Sequence, residues 1–256
     1  MQNSLVLEVC VESIDHAVAA ERGGAHRIEL CSDLASGGIT PSAGLIEVAR
    51  DRLRLPIHVL IRPREGDFCY SDYEFAIMER DIRMAKHLRA DGIVLGVLDA
   101  NRRVDIARTR KLVGLARPLP VTFHRAFDLC QDLDACLEAV IQTGAARILT
   151  SGGQTRATDN IAALARLVHI AGDRIVIMPG GGVDMDNAQF ILRRTAAREI
   201  HTSLGLSAAA TNNASASPGE ASDGADSSEF EGRVRKVRKM LEVISHDLVH
   251  EADLTS

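Results

Sequence analysis

Along the chain, short runs of Val, Ile and Leu alternate with polar or glycine-rich turns and with longer segments whose apolar positions fall three and four apart. The runs read as strands and the longer segments as helices with one buried stripe. The spacing predicts strands over 5–11, 27–31, 57–62, 92–96, 120–124, 147–150, 174–178 and 199–202, eight in all. Helical stripes lie between them, as in Phe75, Met78, Ile82 and Ala85, or Ile161, Leu164, Val168 and Ala171. Eight such repeats in 256 residues match a closed (βα)₈ TIM barrel, an α/β fold, better than an open doubly wound sheet. A single domain over 1–256 is therefore expected, although a prior of roughly 150 residues per domain would admit two. Ile175-Val176-Ile177-Met178 is apolar on both alternating faces, as a parallel strand covered inside and out should be.

One stretch breaks the pattern. Residues 207–232 are rich in Ser, Ala, Gly, Asn and Asp with almost no large apolar side chain, so a disordered loop is expected there. It precedes a last helix over 233–248, with Val234, Val237, Leu241 and Ile244 as its apolar stripe and Arg233, Arg235, Lys236, Arg238 and Lys239 on a solvated face.

Composition narrows the partners. A formal net charge of -5 offers no cationic surplus for a phosphate backbone, and aromatic residues at 3% with no Trp leave little to stack bases on, so nucleic acid is not expected. Neither a secretory leader nor a run of roughly 18 apolar residues is recognisable, which points to a cytoplasmic protein without a membrane partner. The cysteines Cys10, Cys31, Cys69, Cys130 and Cys136 form no CxxC pair and are expected to stay thiols in a reducing compartment. A homodimer is expected only from the general frequency of such assemblies.

The candidate chemistry sits on strand faces and strand ends. Alternation puts Glu8 and Cys10 on one face of the first strand, and Glu29 and Cys31 on one face of the second. Two thiolates suffice for Cu(I), a soft ion of low coordination, while buried Cys also serves as a small core residue. Glu8 and Glu29, in contrast, must be paired or functional inside a barrel, with Arg62 as the expected counter-charge. Arg62 and Arg64 could grip a carboxylate or phosphate, or satisfy Glu8, Glu29 and Asp67 as ion pairs.

The fifth strand ends in His124-Arg125-Ala126-Phe127-Asp128, where His124 could act as a general base oriented by Asp128, or simply be structural. Small-residue turns at Ser151-Gly152-Gly153, Gly180-Gly181-Gly182 and Ser203 could present N–H groups to an anion, since phosphate sites in this fold follow the seventh and eighth strands. Glycines there could equally serve tight turns.

Taken together, these segments resemble the CutC copper-homeostasis family. The resemblance rests on Leu7-Glu8-Val9-Cys10, Arg27-Ile28-Glu29-Leu30-Cys31, Gly37-Gly38-Ile39-Thr40-Pro41-Ser42, Ile61-Arg62-Pro63-Arg64 with Gly66-Asp67-Phe68-Cys69-Tyr70-Ser71, Gly96-Val97-Leu98-Asp99, Thr122-Phe123-His124-Arg125-Ala126-Phe127-Asp128 and Leu149-Thr150-Ser151-Gly152. It implies a cytoplasmic TIM barrel that binds copper as Cu(I), with Cys10 and Cys31 as metal ligands, for buffering or trafficking. The stretch from Ser207 departs from the family's pattern. The residues also admit an enzyme doing acid–base chemistry on a small phosphorylated or carboxylated substrate. Catalysis would then fall to Glu8, Glu29, His124 and Asp128, and the anion to Arg62, Arg64, Arg125, Ser151, Gly181, Gly182 and Ser203.

Overall fold

The computed structural model describes residues 5–206 and 223–254. Eight strands, β1 (Val6–Val11), β2 (Arg27–Leu30), β3 (Ile57–Leu60), β4 (Gly92–Leu95), β5 (Val121–Phe123), β6 (Arg147–Thr150), β7 (Val176–Pro179) and β8 (Glu199–Thr202), pair in parallel in the spatial order β7, β6, β5, β4, β3, β2, β1, β8. The two ends of this ladder, β7 and β8, lie side by side and close the circle. Helices α1 (Ile14–Gly23), α2 (Ala43–Arg52), α3 (Asp72–His87), α4 (Ile106–Ala116), α5 (Leu133–Thr143), α6 (Ile161–Ala171), α7 (Ala188–Thr195) and α8 (Asp223–Leu254) follow the strands in turn. The expected (βα)₈ TIM barrel is therefore the observed fold.

Strand alternation divides the molecule into two cores. Leu7, Val9 and Val11 of β1, Ile28 and Leu30 of β2 and Val59 of β3 face outward and are sealed under the helices. Each contributes about 1.5–3 kcal/mol on burial. The inner face instead carries polar side chains on β1, β2, β3, β6 and β8. The inside of this barrel is thus where ligand chemistry has to be sought.

Helix ends are fixed by local sequence. Ser13 and Ser42 cap α1 and α2 by accepting from His16 N and Leu45 N. Ser71 and Glu74 form a reciprocal capping box at the start of α3. In α3 the predicted stripe of Phe75, Met78, Ile82 and Ala85 is buried. In α6 the stripe is rotated: Ala163, Leu164, Leu167 and Ala171 are buried, while Ile161 and Val168 are half-buried.

The C-terminal helix starts at Asp223, not at Arg233, so the expected loop over 207–232 is corrected for its last part; residues 207–222 lie outside the described residues. Phe230, fully buried and edge-to-face with His16 at 5.0 Å, explains the earlier start. Together with Val234, Val237, Leu241 and Ile244 it forms one apolar face laid on α1. A Cβ on Gly23 would fall 2.6 Å from Val234 Cβ, so only glycine lets α1 and α8 approach this closely.

The cysteine expectation also needs correction. Cys130 and Cys136 are joined in a disulfide, whereas Cys10, Cys31 and Cys69 are free. The turn between the 3₁₀ segment Arg125–Leu129 and α5 brings the two Cα atoms to 6.5 Å, within disulfide reach. No helix among the described residues is long and apolar enough to cross a membrane.

Candidate functional site

The floor of the barrel interior is an ion-pair chain. Arg27 of β2 donates to Glu8 of β1 through Nε and to Glu199 of β8 through Nη2, and Arg147 of β6 donates to the same Glu199 through Nη2 at 3.0 Å. Burial alone would raise Glu8, but Arg27, with the hydrogen bond from His201, holds its carboxyl well below the usual range. Burial would likewise raise Glu199, and Arg147 and Arg27 outweigh it. Arg27 is itself raised, because Glu8 and Glu199 more than offset its desolvation. This paired floor is fully satisfied, as a buried charge must be.

Arg62 is not part of it, which corrects its expected role as counter-charge to Glu8 and Glu29. Its guanidinium instead binds backbone carbonyls of Ser36 at 3.1 Å, Gly38 at 2.8 Å and Gly66 at 2.9 Å, and lies 5.0 Å over the Phe68 ring. The reason is position along the strand. Arg62 lies beyond the end of β3, a full layer above the carboxylates, whereas Arg27 alternates with Glu29 on β2 and faces Glu8 directly in register.

One layer up, His201 Nδ1 lies 2.8 Å from Glu8 Oε1 and 3.9 Å from Glu29 Oε2. Burial would lower His201, but Glu8 and Glu29 raise it. No guanidinium among the described residues pairs with Glu29, and burial pushes its carboxyl up to about 7. His58 lies 3.7 Å from Glu8 and is held at about 4 by burial. Glu8, Glu29 and His201 offer three buried ligand atoms within 4.8 Å of one another.

Above Glu29 are the two thiols. Cys10 Sγ lies 3.7 Å from Cys31 Sγ and 3.8 Å from Glu29 Oε1, and both cysteines are buried. The hydrogen bond with Cys31, then burial, pushes the Cys10 thiol well up, so at neutral pH it carries its proton. Register explains the proximity: Cys10 stands opposite Glu29, and Cys31 is two residues further along β2 on the same face.

The mouth holds a cavity of about 210 Å³, lined among others by Cys10, Glu29, Arg62, Phe68, His124 and Arg125. Gly181, Gly182, His201 and Ser203 complete the rim. Of the residues expected at the site, Glu8 and Cys31 lie just beneath this cavity, while Arg64 sits outside, bonded to Glu74 at 2.5 Å and Asp67 at 2.9 Å.

Asp128 does not orient His124, contrary to expectation. Its carboxylate accepts from Arg125 Nε, Thr150 Oγ1, and the Ser151 and Gly153 backbone N–H groups, so Arg125, Asp128 and Ser151 form a knot that fixes the β6 loop. His124 instead caps the 3₁₀ turn, its Nδ1 accepting from Ala126 N at 3.1 Å. That lone pair is thus occupied and Nε2 carries the hydrogen. Burial and then Arg62 hold the ring at about 3, so it is neutral. A neutral imidazole whose one free polar atom is an N–H is a donor at that atom.

Sequence reasoning missed Arg27, His58, Arg147, Glu199 and His201 as members of the site. The same alternation that picked out Glu8 and Cys10 places Arg27 with Glu29 on β2 and Glu199 with His201 on β8. Extending the face rule to every strand finds all but the pairing.

Comparison with known proteins agrees with this architecture. The CutC family profile matches residues 5–206, which is the whole barrel up to the end of the eighth strand. The chain belongs to the CutC family. It is 48% identical over 201 residues to the human copper homeostasis protein cutC homolog, covering 78% of this chain and 74% of that one. A CutC family protein of Chromobacterium violaceum is 46% identical over 198 residues, 77% of this chain and 80% of that one. The crystal structure of a copper homeostasis protein CutC from Streptococcus agalactiae superposes with a TM-score of 0.74 at 36% identity, covering 78% of this chain and 98% of that one. The match ends before α8, so the helix that covers α1 lies beyond the shared barrel.

Proposed function

We propose that this CutC chain binds Cu(I) as its cargo between Cys10 and Cys31, and buffers or passes on the ion in the cytosol. The observation that carries the reading is the 3.7 Å separation of the two buried sulfurs. With metal–thiolate bonds of about 2.3 Å, both can reach one ion. Cu(I) suits the pair because it is soft and accepts two ligands. The Cys10 thiol is protonated without metal, so capture exchanges its proton for the ion, and Glu8 beneath, held ionised, supplies negative charge that favours the cation. Cys10 lines the mouth cavity and gives the ion a way in. The copper homeostasis named for the human and streptococcal relatives is the process this binding would serve.

A strictly anaerobic competition titration against a calibrated Cu(I) chelator tests the reading. Tight binding that disappears in the Cys10→Ser, Cys31→Ser double variant supports it. Equal affinity in wild type and variant makes the two cysteines core residues.

A further inference from the structure

Two features of the mouth are unused by copper. The first is His124, whose Nδ1 is committed to Ala126 N and whose Nδ1–Cε1 edge rests over Gly96, where a Cβ would come within 2.6 Å. Its Nε2 is buried and has no partner among the described residues, although the ring lines the cavity. A buried N–H without an acceptor costs roughly 1–3 kcal/mol, and an oxygen brought to it from the cavity side would recover that cost.

The second is Arg62. It is buried and lines the same cavity, and its bonds run to backbone carbonyls; among the described residues no carboxylate pairs with it. The other buried guanidiniums, Arg27 and Arg147, both hold carboxylates. Arg62 therefore leaves a positive charge uncompensated at the cavity wall, beside an N–H that lacks its acceptor. One anionic oxygen would answer both. Glu29, which lines the same cavity, has a buried Oε2 that is likewise without a hydrogen-bond partner among the described residues. A hydroxyl both donates and accepts, so it can satisfy Glu29 in either protonation state.

We propose that the mouth cavity binds a small hydroxycarboxylate, its carboxylate accepting from His124 Nε2 and facing Arg62, its hydroxyl bonded to Glu29. The volume of about 210 Å³ is below the usual range for drug-sized ligands and suits a compact metabolite. Carboxylate is preferred to phosphate because one N–H and one guanidinium face match a single anionic charge, and because Glu29 would oppose a second. This site stands without the copper reading: its residues are His124, Arg62 and Glu29, and it is tested on copper-free protein.

The experiment uses the reduced, copper-free full chain with ¹⁵N-labelled histidine. Its probes are lactate, propionate and inorganic phosphate. Lactate is expected to shift the His124 Nε2 resonance saturably and to bind several-fold more tightly than propionate, which lacks the hydroxyl. The variant His124→Asn keeps an oxygen for Ala126 N but loses the Nε2 donor, and should bind lactate about tenfold more weakly. Should that variant fail to fold, the wild-type resonance decides alone. No shift with lactate overturns the site, as does equal affinity in a folded His124→Asn. Propionate binding as well as lactate overturns the hydroxyl assignment, and phosphate saturating His124 in place of lactate overturns the ligand class.

Discussion

Arg27 Nε donates to Glu8, and the other end of the same guanidinium reaches Glu199, so one side chain of β2 ties the first strand to the eighth across the barrel floor. Replacing Arg27 by Met keeps most of the volume but leaves two buried carboxylates facing each other across an apolar stem. Losing one member of a buried ion network costs about 3–5 kcal/mol. Arg27→Met is therefore expected to lower the urea midpoint by that equivalent. Arg89→Met, whose partner Asp51 is exposed, should change stability by less than about 1 kcal/mol. Equal midpoints for the two variants would show that the floor network contributes no more than a surface pair.

The C-terminal helix provides a second test. Phe230 is fully buried between α8 and α1, at a site the sequence pattern placed in a disordered loop. Phe230→Ala should cost about 3–5 kcal/mol, as for other buried aromatic deletions, while Lys239→Ala on the exposed face stays within about 0.5 kcal/mol. Thermal or chemical unfolding of the two variants measures the difference. A neutral Phe230→Ala would mean that the helix docks without its first anchor.

The barrel was legible because eight apolar runs at regular spacing admit few architectures, and because Glu8, Cys10, Glu29 and Cys31 follow the alternation of strands. What the sequence hid was pairing. Arg62 reads as the counter-charge because it lies on the predicted third strand; the layer in which a side chain sits depends on stagger between strands, which spacing does not encode. The same applies to His124 and Asp128: four residues apart at a strand end, they face different loops once the 3₁₀ turn intervenes. Phe230 was hidden by its polar neighbours, since one large apolar residue in a Ser, Gly and Asp background does not register as a stripe.

Copper capture should depend on pH. The Cys10 thiol is held well above its ordinary range by Cys31 and by burial, so below that range the proton competes with the ion. Affinity for Cu(I) is expected to rise with pH, up to about tenfold per unit for each proton displaced. Competition titrations at neutral and mildly alkaline pH, with the chelator calibrated at each, give the slope. A pH-independent affinity would place the ion on ligands other than these thiols.

The acid limb of the stability curve should carry the signature of His124. Its folded value of about 3 lies below the ordinary 6.5, so between those limits the unfolded chain binds a proton that the folded chain refuses. Stability from this group is complete above 6.5 and falls as the pH drops, by about 1.4 kcal/mol per unit. His58, at about 4 when folded, acts in the same sense over a shorter window. Glu29 opposes both: raised from 4.5 to about 7, it keeps a proton in the folded state that the unfolded chain has released, so it favours the folded state as pH falls through that interval. The whole-protein curve mixes these terms, and a difference measurement separates them. Subtracting the stability of His124→Asn from that of the wild type at each pH should leave a line descending toward acid from 6.5, with Glu29 and His58 largely cancelling. Parallel curves for the two proteins would mean that His124 accepts a proton in the folded state, and with it the assignment of Nε2 as a fixed donor at the mouth would fail.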